Sequence, residues 1–210
     1  DSVQNLDSIS RERIWMEFST LLSYQNVSEV LQRMVDDGVM NYVIPGCNDV
    51  LGIDNCNFEG ITGYNLMIGR LSLLLKSFDE ETVTQILNEL LVSNKVRNSV
   101  TSIRKRIGII PNTESKGCLR RYRIALGGDL VAQMSAERGN SLEESDKLRT
   151  ELSLLPPLSG GNEPLVSGSD ILSRLEIEPG PLLGEVKQWL FRIQVENDIS
   201  DSDSVWEKAE

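Results

Sequence analysis

Several patterns in this sequence have the spacing of groups that do chemistry. Gly127-Gly128-Asp129 has the make-up of a turn that lets a backbone approach a triphosphate while nearby carboxylates hold Mg²⁺. Such a turn should leave a strand and be followed by a D-x-D pair on another strand, whereas Tyr122 to Met134 is patterned as helix, so the turn reads as structural. Asp201-Ser202-Asp203 does have D-x-D spacing, but it lies in an acidic terminus with nothing apolar to rigidify it, and would hold a metal loosely. Glu12 and Glu17 are five positions apart, about 140° around a helix, and cannot converge on one substrate. Cys47, Cys56 and Cys118 form no C-x-x-C pair and histidine is absent. That excludes Cys/His zinc sites, Ser/His/Asp and Cys/His nucleophile systems and histidine-ligated haem. No catalytic and no metal-ligating residue is assigned.

Charge is the more informative signal. The 210 residues carry a net charge of −11, which taken whole argues against nucleic acid, yet the cations are gathered. Between Ser93 and Arg123 lie Lys95, Arg97, Arg104, Lys105, Arg106, Lys116, Arg120, Arg121 and Arg123 against a single acid, Glu114. Phosphate attraction acts through local potential screened within about 10 Å, so such a cluster suits a phosphate-binding face on an otherwise acidic molecule. Its bland counterpart is a solvated helix face. Further along, Ser167-Gly168 and Gly180-Pro181 open two helices whose unpaired N–H groups could accept phosphate oxygens, although ordinary helical hairpins share those parts.

The elements that must position these groups are helical. Ile14, Phe18, Leu21 and Leu22 line one face of a first helix with a cap at Ser8 or Ser10. Asn26 with Glu29 has the form of a capping box, and Gly38 should stop the helix it opens. Leu66 to Phe78 is apolar on most sides and reads as a buried central helix. Asp79 caps the next, which carries Val83, Ile86, Leu87, Leu90 and Leu91; Val96, Val100, Ile103 and Ile107 stripe the basic helix. Leu155-Pro156-Pro157 through Pro164 is a linker by composition. Beyond it a helix with Ile171, Leu172 and Leu175 precedes one with Leu182, Leu183, Val186, Trp189, Leu190 and Ile193, where Pro181 suits the first helical position. Trp15 and Trp189 are expected in the core, Trp206 in a disordered acidic end. No convincing strand, internal repeat, signal peptide or membrane span is visible.

Two runs carry a family resemblance. Pro157-Leu158, Leu165-Val166-Ser167-Gly168-Ser169-Asp170-Ile171-Leu172 and Ile177-Glu178-Pro179-Gly180-Pro181-Leu182-Leu183-Gly184-Glu185-Val186 closely resemble the C-terminal signature of the class II tRNA nucleotidyltransferase (CCA-adding enzyme) and bacterial-type poly(A) polymerase family. Ser10-Arg11-Glu12-Arg13-Ile14 with Glu17 resembles its E-R-I-x-x-E neck helix. The resemblance is strong at both ends and vague between Cys47 and Asn112. It implies that Glu12, Arg13 and Glu17 brace a neck against a catalytic head without touching the reaction. The glycine turn, D-x-D metal pair, R-R-D and E-D-x-x-R elements of that head do not occur in this chain. Mg²⁺ with ATP or CTP would belong to the head, and no cofactor is expected in this chain.

The resulting expectation is an all-α protein with a neck and body over 1–155 and a tail domain over 156–210 ending in a disordered acidic segment. Its parent activity would be adding nucleotides to an RNA 3′ end, with CCA and poly(A) both open. A tRNA or other structured RNA would be the partner, met by Lys95, Arg97, Arg104, Lys105, Arg106, Arg120, Arg121 and Arg123, and by Ser167, Gly168 and Gly180 in the tail. The other expected partners are the head, as its own domain or a separate chain, and a second copy through the exposed neck; no membrane is expected. The free thiols suit the cytoplasm or an organelle interior. The rival reading is a noncatalytic helical protein-interaction module derived from the same family.

Overall fold

The computed structural model describes residues 8–210, and among them every regular element is a helix. None of the helices is long and apolar enough to cross a membrane. The chain divides into two compact units. One comprises Asp1–Ile110 with Gly128–Lys147, the other Pro111–Gly127 with Leu148–Glu210. The division differs from a single cut near residue 155, because the segment Pro111–Gly127 is drawn into the second unit by contacts with residues far along the chain.

In the first unit, α1 (Arg11–Leu22) begins where the Ser10 side chain accepts the Arg13 N–H, and buries Ile14, Phe18 and Leu22. The stripe read from sequence is thus the packed face. α2 (Ser28–Asp36) departs from expectation at its start: Val27, not Asn26, is the cap position and no side chain of its own turn caps it. Asp54 does that from elsewhere, its Oδ1 accepting the N–H groups of Val27 and Ser28 at 2.8 and 3.1 Å. Burial alone would raise the Asp54 pKa, but hydrogen bonds from the Ser28 hydroxyl and these two N–H groups, with the nearby Arg70 charge, outweigh it and hold it below the usual carboxylate value. Gly38, at φ 76°, turns the chain into α3 (Val39–Val43).

The centre is α4 (Gly63–Leu74), buried continuously from Leu66 to Leu74. Packed on it are α6 (Asn94–Arg104) and α8 (Leu130–Asn140); α5 (Glu80–Glu89), capped by Asp79, precedes α6. α4 and α8 approach so closely that a Cβ on Gly69 would lie 2.5 Å from Ser135 Oγ, and one on Gly139 would lie 2.5 Å from both Cys56 Sγ and Leu73 Cδ2. Close backbone approach is what glycine permits here.

Arg70 is the exception in this apolar centre: it is fully buried. Its guanidinium donates to the carbonyls of Ile53 (2.9 Å), Leu22 (3.1 Å), Gln25 (2.6 Å) and Tyr24, and stands 3.6 Å from Asp54. It thereby ties the C-terminal end of α1 to the short helical turn Asp54–Cys56, while Asp54 ties that turn to α2.

Glu137 is another buried charge, 1% exposed, accepting the Gly108 N–H at 3.0 Å and the Gln133 amide at 2.8 Å. Burial raises its pKa above the ordinary 4.5, against the two hydrogen bonds. Below its unfolded value the carboxyl is protonated in both states and costs nothing. As pH rises through the interval up to the folded value, the folded form retains more protons and this group's contribution to stability falls, then levels off. Urea midpoints measured from acid to neutral pH should therefore decline less in Glu137→Gln than in the parent; superimposable profiles would contradict this assignment.

In the second unit, α7 (Lys116–Leu126) packs on α11 (Pro181–Asn197), which also contacts α10 (Gly168–Leu175) and α12 (Ser202–Ala209). α9 (Leu142–Ser153) crosses the sequence boundary between the units. The core of the C-terminal helices is Val166, Ile171, Leu190, Val205 and Trp206. The acidic end expected to be disordered is therefore a helix: Val205 and Trp206 are buried, and Arg174 sits 4.8 Å over the Trp206 ring. Trp189, expected in the core, is 46% exposed, and Leu182 52%. Gln194 takes the interior position instead.

The segment read as a linker is fastened along its length. The Gln194 amide donates to Glu163 O (3.0 Å) and accepts the Leu165 N–H (2.9 Å). Asp198 accepts the Ser159 N–H at 2.9 Å. A Cβ on Gly160 would overlap Ile199 O, so this glycine serves close packing, while Gly161, at φ 74°, serves a turn. Composition signals a missing helix pattern; it does not measure the hydrogen bonds that a buried glutamine and an aspartate supply from elsewhere in the chain.

Candidate nucleic-acid interface

The apparent catalytic motifs are ordinary structure. Asp201 is the N-cap of α12, accepting both the Ser204 N–H and its hydroxyl at 2.9 Å, and these bonds lower its pKa. Gly127 to Asp129 is a 3-10 turn between α7 and α8 that interrupts the continuous helix expected there, and Asp129 accepts the Ser99 hydroxyl at 2.7 Å. Among the described residues no three His, Cys, Asp or Glu side chains cluster as a metal site. Burial pushes the Cys47 thiol up to about 11 and the Cys56 thiol to about 12, so neither is a thiolate nucleophile near neutral pH.

The basic residues sort by what they touch. In the first unit, Lys95 is exposed with its ammonium 5.0 Å from the centroid of the Tyr64 ring. Arg97 is half-buried and donates to Asn94 at 3.2 Å. Two positions apart on α6, these side chains leave about 160° from one another, so they occupy opposite flanks of the helix. Lys105 pairs with Glu80 at 2.8 Å, both well exposed, and such a surface pair exchanges readily for a phosphate. Arg106 donates to Ser102 O and Oγ. Arg104 points inward, 9% exposed, and closes on Phe78 O at 2.6 Å. It is a brace beneath the surface, which counting charges could not reveal.

In the second unit Arg120 meets Asp198 at 2.9 Å and Glu196 O at 3.3 Å, with only 13% of its side chain exposed. Arg121 meets the Glu196 carboxylate at 2.7 Å. Arg123 donates to Leu155 O and Pro156 O at 3.1 and 2.7 Å. The structure thus engages all three with residues 155–198 of the same unit, Arg121 with 42% of its side chain exposed against 13% for Arg120. Lys116, on the first turn of α7, is exposed. Ser167 caps α10 in a reciprocal box with Asp170: the carboxylate accepts the Ser167 N–H and hydroxyl, and the hydroxyl oxygen accepts the Asp170 N–H. Gly168 is half-buried; Gly180 is exposed in extended backbone at the start of α11.

The neck, expected from Ile14 and Phe18 to present an apolar patch, carries a groove beside α1. Ile9, Ile14, Phe18, Leu21, Met34, Val39 and Val43 line about 450 Å³ of mainly apolar space, with Arg13 and Glu17 at its rim. Glu12, also exposed, does not line it.

With this geometry in place, the likenesses to known proteins can be set beside it. Residues 1–51 match the family model described as "Probable RNA and SrmB- binding site of polymerase A". That match covers α1 to α3 and the groove, and stops short of the basic helices. Over 208 residues the chain is 25% identical to a CCA-adding enzyme of Leuconostoc mesenteroides, covering 98% of this chain and 51% of the relative. In fold it resembles the Bacillus stearothermophilus CCA-adding enzyme in complex with CTP, with a TM-score of 0.71 at 20% identity over 99% of this chain and 54% of that one. It also resembles the Thermotoga maritima CCA-adding enzyme complexed with tRNA, with a TM-score of 0.58 at 15% identity over 98% and 53%. The chain spans about half the length of the relatives it matches. Neck-helix motif, C-terminal signature, whole-length similarity and all-helical fold agree in likening this chain to the C-terminal, neck-body-tail half of a CCA-adding enzyme.

Proposed function

We propose that this chain is the RNA-holding part of an enzyme that adds nucleotides to RNA 3′ ends, with the chemistry, Mg²⁺ and nucleotide belonging to a head of the kind the relatives carry. The observation that carries the reading is the acid-free α6, whose exposed Lys95 and half-buried Arg97, with Lys105 and Arg106 just beyond, present cations on a chain of net charge −11. Structured RNA is bound largely through shape and phosphate contacts, which such a surface supplies. The groove beside α1, rimmed by Arg13 and Glu17, is an apolar seat of the kind a packed domain fills, which supports a role for this neck in holding the head. No catalytic step is assigned to residues of this chain.

The test is a tRNA titration across salt concentrations. Neutralising two phosphate contacts with Lys95→Gln and Arg97→Gln should weaken binding and reduce the slope of log affinity against log salt by about 1.5, at roughly 0.7 to 0.9 per contact. Asp201→Asn and Asp203→Asn, far along the sequence, should leave the slope unchanged. Binding that ignores salt, or a double variant indistinguishable from its parent, would overturn the proposal.

A further inference from the structure

Tyr64 stands on the first turn of α4, and 40% of it is exposed although its helix is buried continuously from Leu66 to Leu74. Lys95, on the first turn of α6, holds its ammonium 5.0 Å from the ring centroid. Neither first turn contains an acid, so nothing on these two turns competes for the ammonium or repels a phosphate. The residue before Tyr64, Gly63, lies against Ser23, with its Cβ direction 3.4 Å from Ser23 Cβ. Ser23 precedes a second exposed tyrosine, Tyr24, 62% exposed. The backbone of Tyr24 is held in place, since its carbonyl accepts from the buried Arg70. Two exposed tyrosines next to one helix–helix contact, on anchored backbone and with a cation over one of them, differ from the Arg174–Trp206 pair described above, whose ring is buried.

We infer that Tyr64, with Lys95, is a stacking site for an unpaired nucleobase of RNA, the ring taking the base and the ammonium its flanking phosphate; this rests on the RNA-holding role proposed above. The chemistry fits one occupant. Proteins that hold unpaired RNA stack bases on aromatic side chains beside cations that follow the backbone, and the stacking is worth about 1–3 kcal/mol per base by alanine substitution. A phosphate alone would need Lys95 but not the ring. An apolar protein segment would need the ring but would gain nothing from an unopposed ammonium.

The experiment uses the full chain and two RNA stem-loops of equal charge, one with ordinary unpaired loop nucleotides and one whose loop riboses are abasic. Tyr64→Leu, at an exposed position, should retain the parent's circular dichroism. Its affinity for the base-bearing stem-loop should fall about 5- to 150-fold, the stacking range converted to binding ratios, while its affinity for the abasic one stays at the parent value. Tyr64→Phe should keep both affinities, and Lys95→Gln should lower both. If the parent binds both RNAs and Tyr64→Leu weakens neither, or weakens both equally, the stacking site is wrong while RNA holding stands. If the parent binds neither stem-loop nor tRNA, both proposals fall together.

Discussion

Arg70→Ala should cost the first unit at least about 4 kcal/mol, a large share of the stability of an ordinary domain. Five interactions end on this one guanidinium: four carbonyls, from Leu22, Tyr24, Gln25 and Ile53, and the Asp54 carboxylate at 3.6 Å. Alanine leaves the carbonyls in the interior without a donor, at about 1–3 kcal/mol for each buried group stranded. It also removes the charge that faces Asp54, the residue that caps α2. Arg70→Lys retains a charge but lacks the planar fork that reaches several acceptors at once, so it should fall between parent and alanine. Urea unfolding followed by far-ultraviolet circular dichroism measures this directly. A loss under about 1 kcal/mol would show that the network is ornamental to folding.

The second large effect concerns an arginine that charge counting placed on an RNA surface. Arg120 and Asp198 are paired at 2.9 Å with side chains 13% and 18% exposed, and Asp198 also accepts the Ser159 N–H. Breaking such a pair from one side typically costs about 3–5 kcal/mol, because the partner charge is stranded. Arg120→Glu should reach that range, since it replaces attraction with repulsion. Asp198→Asn, which keeps an acceptor for Ser159, should cost less. Tryptophan fluorescence, with Trp206 in the core of the same unit, reports the transition. The consequence for RNA experiments is practical. Lost RNA binding in Arg120→Glu accompanied by a lowered midpoint locates a fold contact, whereas lost binding at an unchanged midpoint would restore Arg120 to the interface.

What could be read from residues alone follows from the range of the forces involved. The stripes on α1, α5 and α6, apart from the exposed Leu91, and the caps at Ser10, Asp79 and Ser167 are local, set by spacing and by a hydroxyl or carboxylate three residues from its N–H, and they stand as expected. The cap of α2 is not local: Asp54 reaches it from 26 and 27 positions away, and nothing in Asn26 or Glu29 discloses that. Trp206 was misplaced because acidic neighbours suggested solvation, while Val205 and Trp206 supply an apolar pair that α12 turns inward. The basic cluster was legible as composition but not as a surface. Whether an arginine faces solvent or closes on a carbonyl depends on which backbone passes beneath it, as Phe78 does for Arg104 and Pro156 for Arg123.

The interleaving of the two units also sets an order in time. α7 lies between two stretches of the first unit, yet the groups that engage Arg120 and Arg121 lie 75 to 78 residues downstream, at Glu196 and Asp198. During synthesis at about 5–20 residues per second, α7 must wait roughly 4 to 15 s for α11 to be made. Helix–coil exchange takes about a microsecond or less, so throughout that interval α7 is a marginal helix that forms and melts many times while Leu119 has no α11 to pack against. The ribosome therefore delivers the first unit's central helices well before the second unit can close, and a pause or truncation between residues 127 and 181 would leave α7 as the exposed, aggregation-prone segment of the nascent chain.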